Sequence, residues 1–261
     1  MMPVDAPRAR RLDLAGMNAN VQKYLERRRK LQTTELAGKR LLCTRCLQPE
    51  FGCYCAYVRP FHPSIKFVVL IHPLEARRRI ATGRMSHLCL SDSLLVRGED
   101  FSESKIVNVL VEDSSRHCVV LYPGLGSTDL SAINEVQRRD LFPEAKELVI
   151  FVIDGTWRTA RKMVRSRCLA HLPRVCFAPR TPSRFRVRKQ PAPECWSTIE
   201  AIHQTIELVG PARGFSGVEQ REHDNMLFVF DRMVERQLAF VKDARVSRHS
   251  KRLRSNELSL L

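Results

Sequence analysis

The most informative part of the chain is an unbroken apolar run, residues 148–153, that is followed by four residues able to contact a ligand. These are Asp154, Gly155, Thr156 and Trp157. A short apolar run of this kind is typical of a central strand buried on both faces. Because ligands of open α/β sheets bind beyond the carboxyl ends of the strands, the sequence predicts a ligand site with a carboxylate, a hydroxyl and an aromatic ring.

The residues that follow are strongly cationic. From Gly155 to Pro193 the chain holds eleven Lys or Arg and no Asp or Glu. A helix after Trp157 would place four cations on one face, at i, i+3, i+4, i+7 spacing: Arg158, Arg161, Lys162 and Arg165. Further along, Arg186 and Arg188 alternate with apolar residues. Both features predict contacts with phosphate groups; the alternative is a solvated surface.

The composition supports a polyanionic partner. The 261 residues carry a formal net charge of +16, which favours nucleic acid or an anionic membrane surface; the alternative is a merely soluble, arginine-rich protein. No segment approaches the ~18 apolar residues of a membrane span, and the first residues do not resemble a signal peptide. We therefore expect a cytoplasmic protein that does not use a membrane, with mostly reduced thiols among its nine cysteines.

Four of those cysteines are closely spaced. Cys43 and Cys46 form a CxxC pair, and Cys53 and Cys55 follow seven residues later. Four thiolates within thirteen residues suit a tetrahedral structural zinc ion, with Zn–S distances of ~2.3 Å. An iron–sulfur cluster with the same ligands, or four free thiols, are the alternatives. A closed four-cysteine site would leave no position for catalysis.

Two more loops follow predicted strands. Tyr122, Pro123 and Gly124 come after one strand, and the glycine permits close approach of a ligand to the backbone; an ordinary turn is the alternative. The loop after another strand begins at His72 and contains several arginines, among them Arg79 and Arg84.

The elements that must position these residues alternate between strands and helices. Apolar runs predict strands at 65–71, 93–96, 118–122, 148–153 and 174–177, which favours an α/β sheet. A helix is predicted at about 17–32, and another begins at Trp157, with Trp157, Ala160, Val164 and Cys168 on its inner face. Two more are predicted after the capping box that starts at Ser197 and Thr198 and at about 219–241.

The motifs together resemble the DTW-domain proteins, which are tRNA-uridine aminocarboxypropyltransferases. The residues that carry the resemblance are Asp154 to Trp157 with Ala160 to Met163, Arg186 to Pro191, Ser197 to Ala201, His72-Pro73, Glu75, Arg79, Thr82 to Arg84, Tyr122 to Gly124 and the four cysteines. They occur in the family's order over about residues 40–240. Trp196 departs from the pattern, since a smaller residue is expected before Ser197.

The resemblance implies a fold similar to the SPOUT class, an α/β sheet with a C-terminal trefoil knot, in which S-adenosylmethionine binds the loops of the knot. It also implies four regions: a basic extension (1–38), a zinc-binding lobe (39–60), a catalytic domain (61–241) and a basic tail (242–261). The implied reaction moves the 3-amino-3-carboxypropyl group to N3 of a uridine in tRNA and releases methylthioadenosine.

The resemblance also gives roles to residues. Cofactor contacts are expected from Tyr122, Pro123, Gly124, Asp154, Gly155, Lys189, Pro191, Ser197 and Thr198. RNA contacts are expected from Arg79, Arg84, Arg158, Arg161, Lys162, Arg165, Arg186 and Arg188. Asp154 either accepts the N3 proton or holds the loop, Thr156 bonds to cofactor or base, and Trp157 either stacks on a ring or packs in the core.

Two other functions fit the same sequence. A SPOUT-like RNA methyltransferase would share the fold and cofactor but transfer the methyl group. A non-catalytic zinc-containing RNA-binding protein would use only the basic surfaces, although the polar residues at several strand ends argue against it.

Overall fold

The computed structural model describes residues 42–188, 192, 195–215 and 220–240. The predicted helix at about 17–32, the basic extension and the basic tail lie outside the described residues.

Six strands and eight helices form the described fold. The strands are β1 (Lys66–Ile71), β2 (Ser93–Arg97), β3 (Arg116–Leu121), β4 (Ser127–Asp129), β5 (Glu147–Asp154) and β6 (Arg174–Cys176). The helices are α1 (Pro73–Ala76), α2 (Thr82–Cys89), α3 (Lys105–Glu112), α4 (Glu135–Leu141), α5 (Trp157–Met163), α6 (Arg167–Ala170), α7 (Thr198–Val209) and α8 (224–240). Short 3-10 turns occur at Glu50–Gly52, Cys55–Tyr57 and Pro211–Arg213.

The strands form one parallel sheet in the order β2-β1-β5-β3-β6-β4. Asp154 at the end of β5 pairs with Ile71 of β1, and Val152 pairs with Leu121 of β3. The α/β class and the central, buried β5 are therefore confirmed. The sequence did not predict β4, because its three residues are polar and lie at the sheet edge. Since all strands are parallel, their carboxyl ends share one edge.

Both faces of the sheet are covered, as the apolar strand pattern requires. Phe67 and Val69 of β1 face a core that includes apolar residues of α2, α7 and α8. Val68 and Leu70, the alternate residues of the same strand, face a second core with α3, α5 and α6. The resulting three layers hold β5 rigidly and so fix the position of Asp154.

The helix predicted after Trp157 is divided in two. Ser166 Oγ donates to the Met163 carbonyl at 2.7 Å and accepts from the backbone N–H of Phe101 at 2.9 Å, in the turn between α5 and α6. Ala160, Val164 and Cys168 are buried as predicted, but Trp157 is 39% exposed, so its core-packing interpretation is wrong.

The cysteine segment packs against β1 and α2. Cys46, Tyr54 and Val58 belong to the same core as β1 and α2. Asn225 of α8 binds this segment, since its Nδ2 donates to the Tyr57 carbonyl at 3.0 Å. From Cys43 onward the described residues form one compact unit. None of the described helices combines the length and apolar character needed to cross a membrane.

Candidate active site and metal centre

A cavity of about 440 Å³ opens at the carboxyl edge of the sheet. It brings together eight residues that the sequence predicted for the site: Tyr122, Pro123, Asp154, Gly155, Thr156, Trp157, Ser197 and Thr198. Gly124 is exposed and does not line the cavity. Lys189 and Pro191 lie outside the described residues. The loops after β3 and β5 and the start of α7 thus converge on one site.

Asp154 is the most unusual polar group of this cavity. It is only 3% exposed, and its Oδ1 accepts a hydrogen bond of 2.6 Å from Thr198 Oγ1. Its Oδ2 is buried and has no hydrogen-bond partner among the described residues. A buried acceptor without a partner costs free energy, so it is a candidate for a functional group.

The environment makes this carboxylate a better base than an exposed one. Burial raises the pKa of Asp154 to about 6, against the lowering effect of the Thr198 hydrogen bond. The negative charge of Glu75 raises the pKa further, whereas Arg188 and the backbone amide of Gly83 lower it. A pKa close to neutrality suits a group that accepts a proton during catalysis.

Gly83 allows α2 to approach this carboxylate. A Cβ atom at position 83 would lie 2.4 Å from Asp154 Oδ2 and 2.9 Å from Val69 Cγ1, so no larger residue fits without movement. Gly83 lies in the first turn of α2. The partial positive charge of a helix N-terminus favours the ionised form of the nearby carboxylate.

Thr156 and Trp157 have different roles. Thr156 is the N-cap of α5, and its Oγ1 accepts from the backbone N–H of Thr159 at 3.3 Å. It is therefore Thr156, and not Asp154, that caps the helix. The Trp157 ring lies at the cavity wall with its centroid 6.3 Å from that of Tyr122.

A second aromatic pair lines the same cavity. The rings of Phe177 and Trp196 have centroids 5.6 Å apart, and Trp196 Nε1 donates to the Thr181 carbonyl at 2.7 Å. The Trp196 that departs from the family pattern therefore forms part of the cavity wall. Flat apolar surfaces of this kind suit a planar ring such as a nucleobase.

Two arginines reach the cavity beside Asp154, and both contact a buried glutamate. Glu75 is 2% exposed, and its Oε1 accepts from Arg188 Nη1 at 2.7 Å. Arg78 Nη1 lies 3.4 Å from Glu75 Oε2. Sequence analysis missed this unit because Glu75 and Arg188 are 113 positions apart, and no local pattern links them.

Glu200 of α7 binds the loop that contains Ser183 and Arg184. Its Oε2 accepts from the backbone N–H and the hydroxyl of Ser197, at 2.9 and 2.6 Å, which fits the predicted capping box. The same carboxylate accepts from Ser183 Oγ and from the Arg184 backbone N–H, both at 2.7 Å. One buried carboxylate thus fixes the segment before Arg188 to the helix that carries Thr198.

The arginines and the lysine predicted to contact RNA fall into two groups. Six of them are exposed: Arg79, Arg158, Arg161, Lys162, Arg165 and Arg186. Arg84 is 7% exposed, and its guanidinium donates to the carbonyls of Ala76 and Arg78, so it holds the loop after β1 and does not offer a free surface. Arg188 is bound to Glu75 at the cavity.

A second cavity, of about 450 Å³, adjoins the first; cations of α5 line it, and so do the carboxylates of Glu75 and Glu99. Arg158 and Lys162 of α5 line it, together with His72. Arg78 and Thr156 line both cavities, so the two spaces meet close to the end of β5. The exposed face of α5 therefore leads directly to the carboxylate site.

The four cysteines form a compact cluster. The sulfurs of Cys43 and Cys55 are 3.7 Å apart, as are those of Cys46 and Cys53, and all four lie within 4.8 Å of one another. A tetrahedral ion with bonds of ~2.3 Å requires sulfur–sulfur edges of about 3.8 Å. These four residues can therefore hold a structural metal ion, whereas a disulfide would need a much shorter distance.

A second cluster of possible ligands, His203, Glu207, His223 and Asp224, is joined by hydrogen bonds and an arginine. His203 Nε2 lies 2.8 Å from Asp224 Oδ1, and His223 Nε2 lies 2.9 Å from Glu207 Oε1, which are hydrogen-bond distances. Arg221 contacts both carboxylates, at 2.6 Å to Glu207 and 2.8 Å to Asp224, and supplies the compensating charge. The cluster thus joins α7 to the start of α8.

These features define a parallel α/β protein whose cavity is lined by a buried carboxylate and which has a four-cysteine cluster that could hold a metal ion. The sequence profile of the DTW domain matches residues 40–238, and the chain therefore belongs to the DTW domain family.

Curated relatives agree with this assignment. The chain is 32% identical over 180 residues to tRNA-uridine aminocarboxypropyltransferase 2 of Mus musculus and 28% identical to that of Macaca fascicularis, covering 67% of this chain in each case. It spans 58% of the length of either relative. The protein of the same name from Drosophila melanogaster is 27% identical over 182 residues, which cover 66% of this chain and 68% of that protein. No solved structure was found to match the chain.

Proposed function

We propose that this protein transfers the 3-amino-3-carboxypropyl group of S-adenosylmethionine to N3 of a uridine in tRNA, with methylthioadenosine as the second product. Membership of the DTW domain family supports this proposal, as do the names of the relatives from mouse, macaque and fruit fly. The structural observation that carries it is the buried carboxylate of Asp154 in the wall of the cavity.

Asp154 would act on the proton of the target base. N3 of uridine carries a proton that must leave when the new N–C bond forms. With a pKa of about 6, the Asp154 carboxylate is mostly ionised at neutral pH and can accept this proton. The hydrogen bond from Thr198 holds Oδ1, and Oδ2 lies beside Gly83 of α2, so the carboxylate is fixed at the end of β5.

The cavity suits the cofactor. Its volume of about 440 Å³ lies within the range of roughly 300–1,000 Å³ for small-molecule sites. When bound, S-adenosylmethionine supplies a carbon activated by its sulfonium. The rings of Tyr122 and Trp157 would hold the adenine, and the backbone of Pro123, Gly155 and the segment 197–198 would contact the remainder. Gly124, Lys189 and Pro191 stay part of the proposed cofactor site.

We also propose that the C-terminal part forms the trefoil knot of the SPOUT class, within a catalytic domain of residues 61–241. The convergence of the loops after β3 and β5 with the start of α7 supports this arrangement. So does the fixation of the segment 183–184 to α7 by Glu200.

The tRNA would bind the cationic side of the second cavity. Arg158, Arg161 and Lys162 of α5 and Arg165, just after this helix, would contact phosphates. Arg79 and Arg186, each close in sequence to one of the two cavity arginines, would add further contacts. The basic extension (1–38) and tail (242–261) would add electrostatic attraction, because all these regions have an excess of cations.

Cys43, Cys46, Cys53 and Cys55 would hold a structural zinc ion. Their mutual distances fit a closed tetrahedral site, which leaves no ligand position for substrate. Because Cys46 and Tyr54 are fully buried in the core shared with β1, the ion would stabilise the catalytic part of the chain as well as the lobe itself (39–60).

One experiment distinguishes this activity from its alternatives. Purified protein is incubated with tRNA and S-adenosylmethionine, and the nucleosides are analysed by mass spectrometry. The proposal expects an aminocarboxypropyl uridine and free methylthioadenosine. A methylated nucleoside would instead identify a methyltransferase, and unmodified tRNA that remains bound to the protein would identify a non-catalytic binding protein.

A further inference from the structure

The arginine pair beside Asp154 has more positive charge than its glutamate can neutralise. Arg188 and Arg78 both line the main cavity, and both lie against the buried carboxylate of Glu75. With Asp154 protonated, the two guanidinium groups and the carboxylate of Glu75 leave a net charge of about one positive unit beside the cavity; when Asp154 is ionised, its charge neutralises that unit. Each guanidinium has five N–H donors, and Glu75 engages only one or two of them on either arginine.

Arg188 is held rigidly by Glu75. Both of its terminal nitrogens donate to Glu75, at 2.7 and 3.3 Å, and its side chain is only 23% exposed. A guanidinium fixed in this way has already lost its rotamer entropy, so it binds an anion with a smaller ordering cost. The planar guanidinium matches the geometry of a carboxylate through two parallel hydrogen bonds.

We propose that Arg188 and Arg78 bind the α-carboxylate of the aminocarboxypropyl group, and that this contact determines which carbon of the cofactor is transferred. The proposal rests on the proposed function. The aromatic walls would hold the adenosine part, while the arginines would hold the far end of the amino-acid part. With both ends fixed, the carbon next to sulfur in the amino-acid part lies between them, close to Asp154.

The location of Arg188 favours a carboxylate over a tRNA phosphate. Arg188 lines only the cavity that contains Asp154 and the aromatic rings. The exposed cations Arg158 and Lys162 line the second cavity, which is the better site for the phosphate backbone. Arg78 lies at the junction of the two spaces and would act as the second, weaker contact.

Binding measurements without tRNA test this assignment with three probes: S-adenosylmethionine, its decarboxylated form and methylthioadenosine, which lacks the whole amino-acid part. The wild-type protein should bind S-adenosylmethionine roughly tenfold or more tightly than the decarboxylated form, the scale of a charge-assisted contact. In Arg188→Gln the ratio of the affinity for S-adenosylmethionine to that for the decarboxylated form should fall to about threefold or less. The affinity for methylthioadenosine should change by less than about twofold, since it makes no such contact.

Further variants separate the loss of the carboxylate contact from a loss of the fold. Arg78→Gln leaves the Arg188–Glu75 contact intact and should lower the same ratio by a smaller factor. Arg188→Lys keeps the charge and should restore part of it. Arg167→Gln is the control, because this arginine is 80% exposed and paired with Glu103 away from the cavity; its ratio should equal that of the wild type.

Three outcomes would overturn the assignment. An unchanged ratio in both Arg188→Gln and Arg78→Gln would exclude the carboxylate contact. An equal loss of methylthioadenosine affinity would make Arg188 a residue of the fold only. A loss of tRNA affinity with the ratio preserved would assign Arg188 to a phosphate. If the wild-type protein binds neither S-adenosylmethionine nor methylthioadenosine, the proposed function itself is wrong, which is a distinct result.

Discussion

The hydroxyl of Thr198 donates a hydrogen bond of 2.6 Å to Oδ1 of Asp154, and this bond links the end of β5 to the first turn of α7. It leaves the other carboxylate oxygen buried and without a partner among the described residues. The two residues are 44 positions apart. The bond therefore depends on the tertiary fold that brings the start of α7 to the end of β5.

Replacement of Asp154 by Asn should lower turnover by roughly 10²-fold or more, because the base that accepts the N3 proton is lost. The affinities for cofactor and tRNA should stay near wild type. Wild-type turnover should rise with pH through about 6, where Asp154 ionises, whereas the variant should lack this step and recover partly at high pH, where uridine N3 ionises in solution. A pH–rate profile of both proteins measures this.

The competing interpretation of Asp154 as a loop anchor gives other results. Cofactor affinity and melting temperature would then fall together in Asp154→Asn, without recovery at high pH. Wild-type turnover in the variant would contradict both roles.

Replacement of Thr198 by Val should move the pH–rate profile to higher pH. The Thr198 hydrogen bond lowers the pKa of Asp154, so its loss lets burial raise that pKa further. Thr198→Ser keeps the hydroxyl and should keep the profile. Thr205→Val is a control on the same helix, because the Thr205 hydroxyl donates only to the Ala201 carbonyl. An unshifted profile in Thr198→Val would mean that another group titrates.

Asp154 should also make the protein less stable as the pH rises. Its folded-state pKa of about 6 lies above the ordinary value of 3.8, so the native state holds the proton more tightly than the unfolded chain. The contribution of protonated Asp154 to the free energy of unfolding is fully present below pH 3.8. This contribution is lost as the pH rises through about 6. The free energy of unfolding of Asp154→Asn, relative to that of the wild type, should therefore be higher at pH 8 than at pH 5 by about 1–2 kcal/mol.

Urea denaturation at the two pH values measures that difference. Asp113 provides a control, because its pKa is shifted in the opposite direction: hydrogen bonds from Ser115 lower it. The advantage of Asp113→Asn over wild type should not grow with pH. A constant difference between Asp154→Asn and wild type would show that Asp154 titrates normally.

The purified protein should contain about one zinc ion per chain, and the Cys46→Ser/Cys55→Ser double variant should lose it. Unfolding should then occur at lower temperature, because the binding free energy of a structural zinc contributes to folding. Elemental analysis and thermal melting measure both effects. Cys195→Ser is the control, since this cysteine is remote in sequence from the cluster and absent from it. A full metal content in the double variant would contradict the assignment.

The logarithm of tRNA affinity should fall linearly with the logarithm of salt concentration, as bound phosphates release counterions. Neutralising Arg161 and Lys162 together should reduce the slope by up to about two units and leave cofactor binding nearly unchanged. A double variant of two exposed cations outside α5, Lys105→Gln/Arg139→Gln, should keep the wild-type slope. If the slopes of the two double variants are equal, the α5 face is only solvated surface, and the basic termini become the better candidates.

The sequence alone determined the features whose causes are local. An apolar run on a parallel strand must be buried on both faces, so β5 and the position of Asp154 at its end followed directly. The four cysteines lie within thirteen positions of one another, and the capping box that begins at Ser197 spans four positions. The order of the motifs along the chain was enough to identify the DTW family.

The tertiary structure alone decided the electrostatics and the walls of the site. The pKa of Asp154 depends on burial and on Thr198, Glu75 and Arg188, which come from distant parts of the chain. Arg84 looked like a phosphate ligand but holds backbone carbonyls, because α2 turns its side chain inward. Burial and charge pairing arise from the whole fold, since they depend on which surfaces meet, and no local pattern of residue types specifies that.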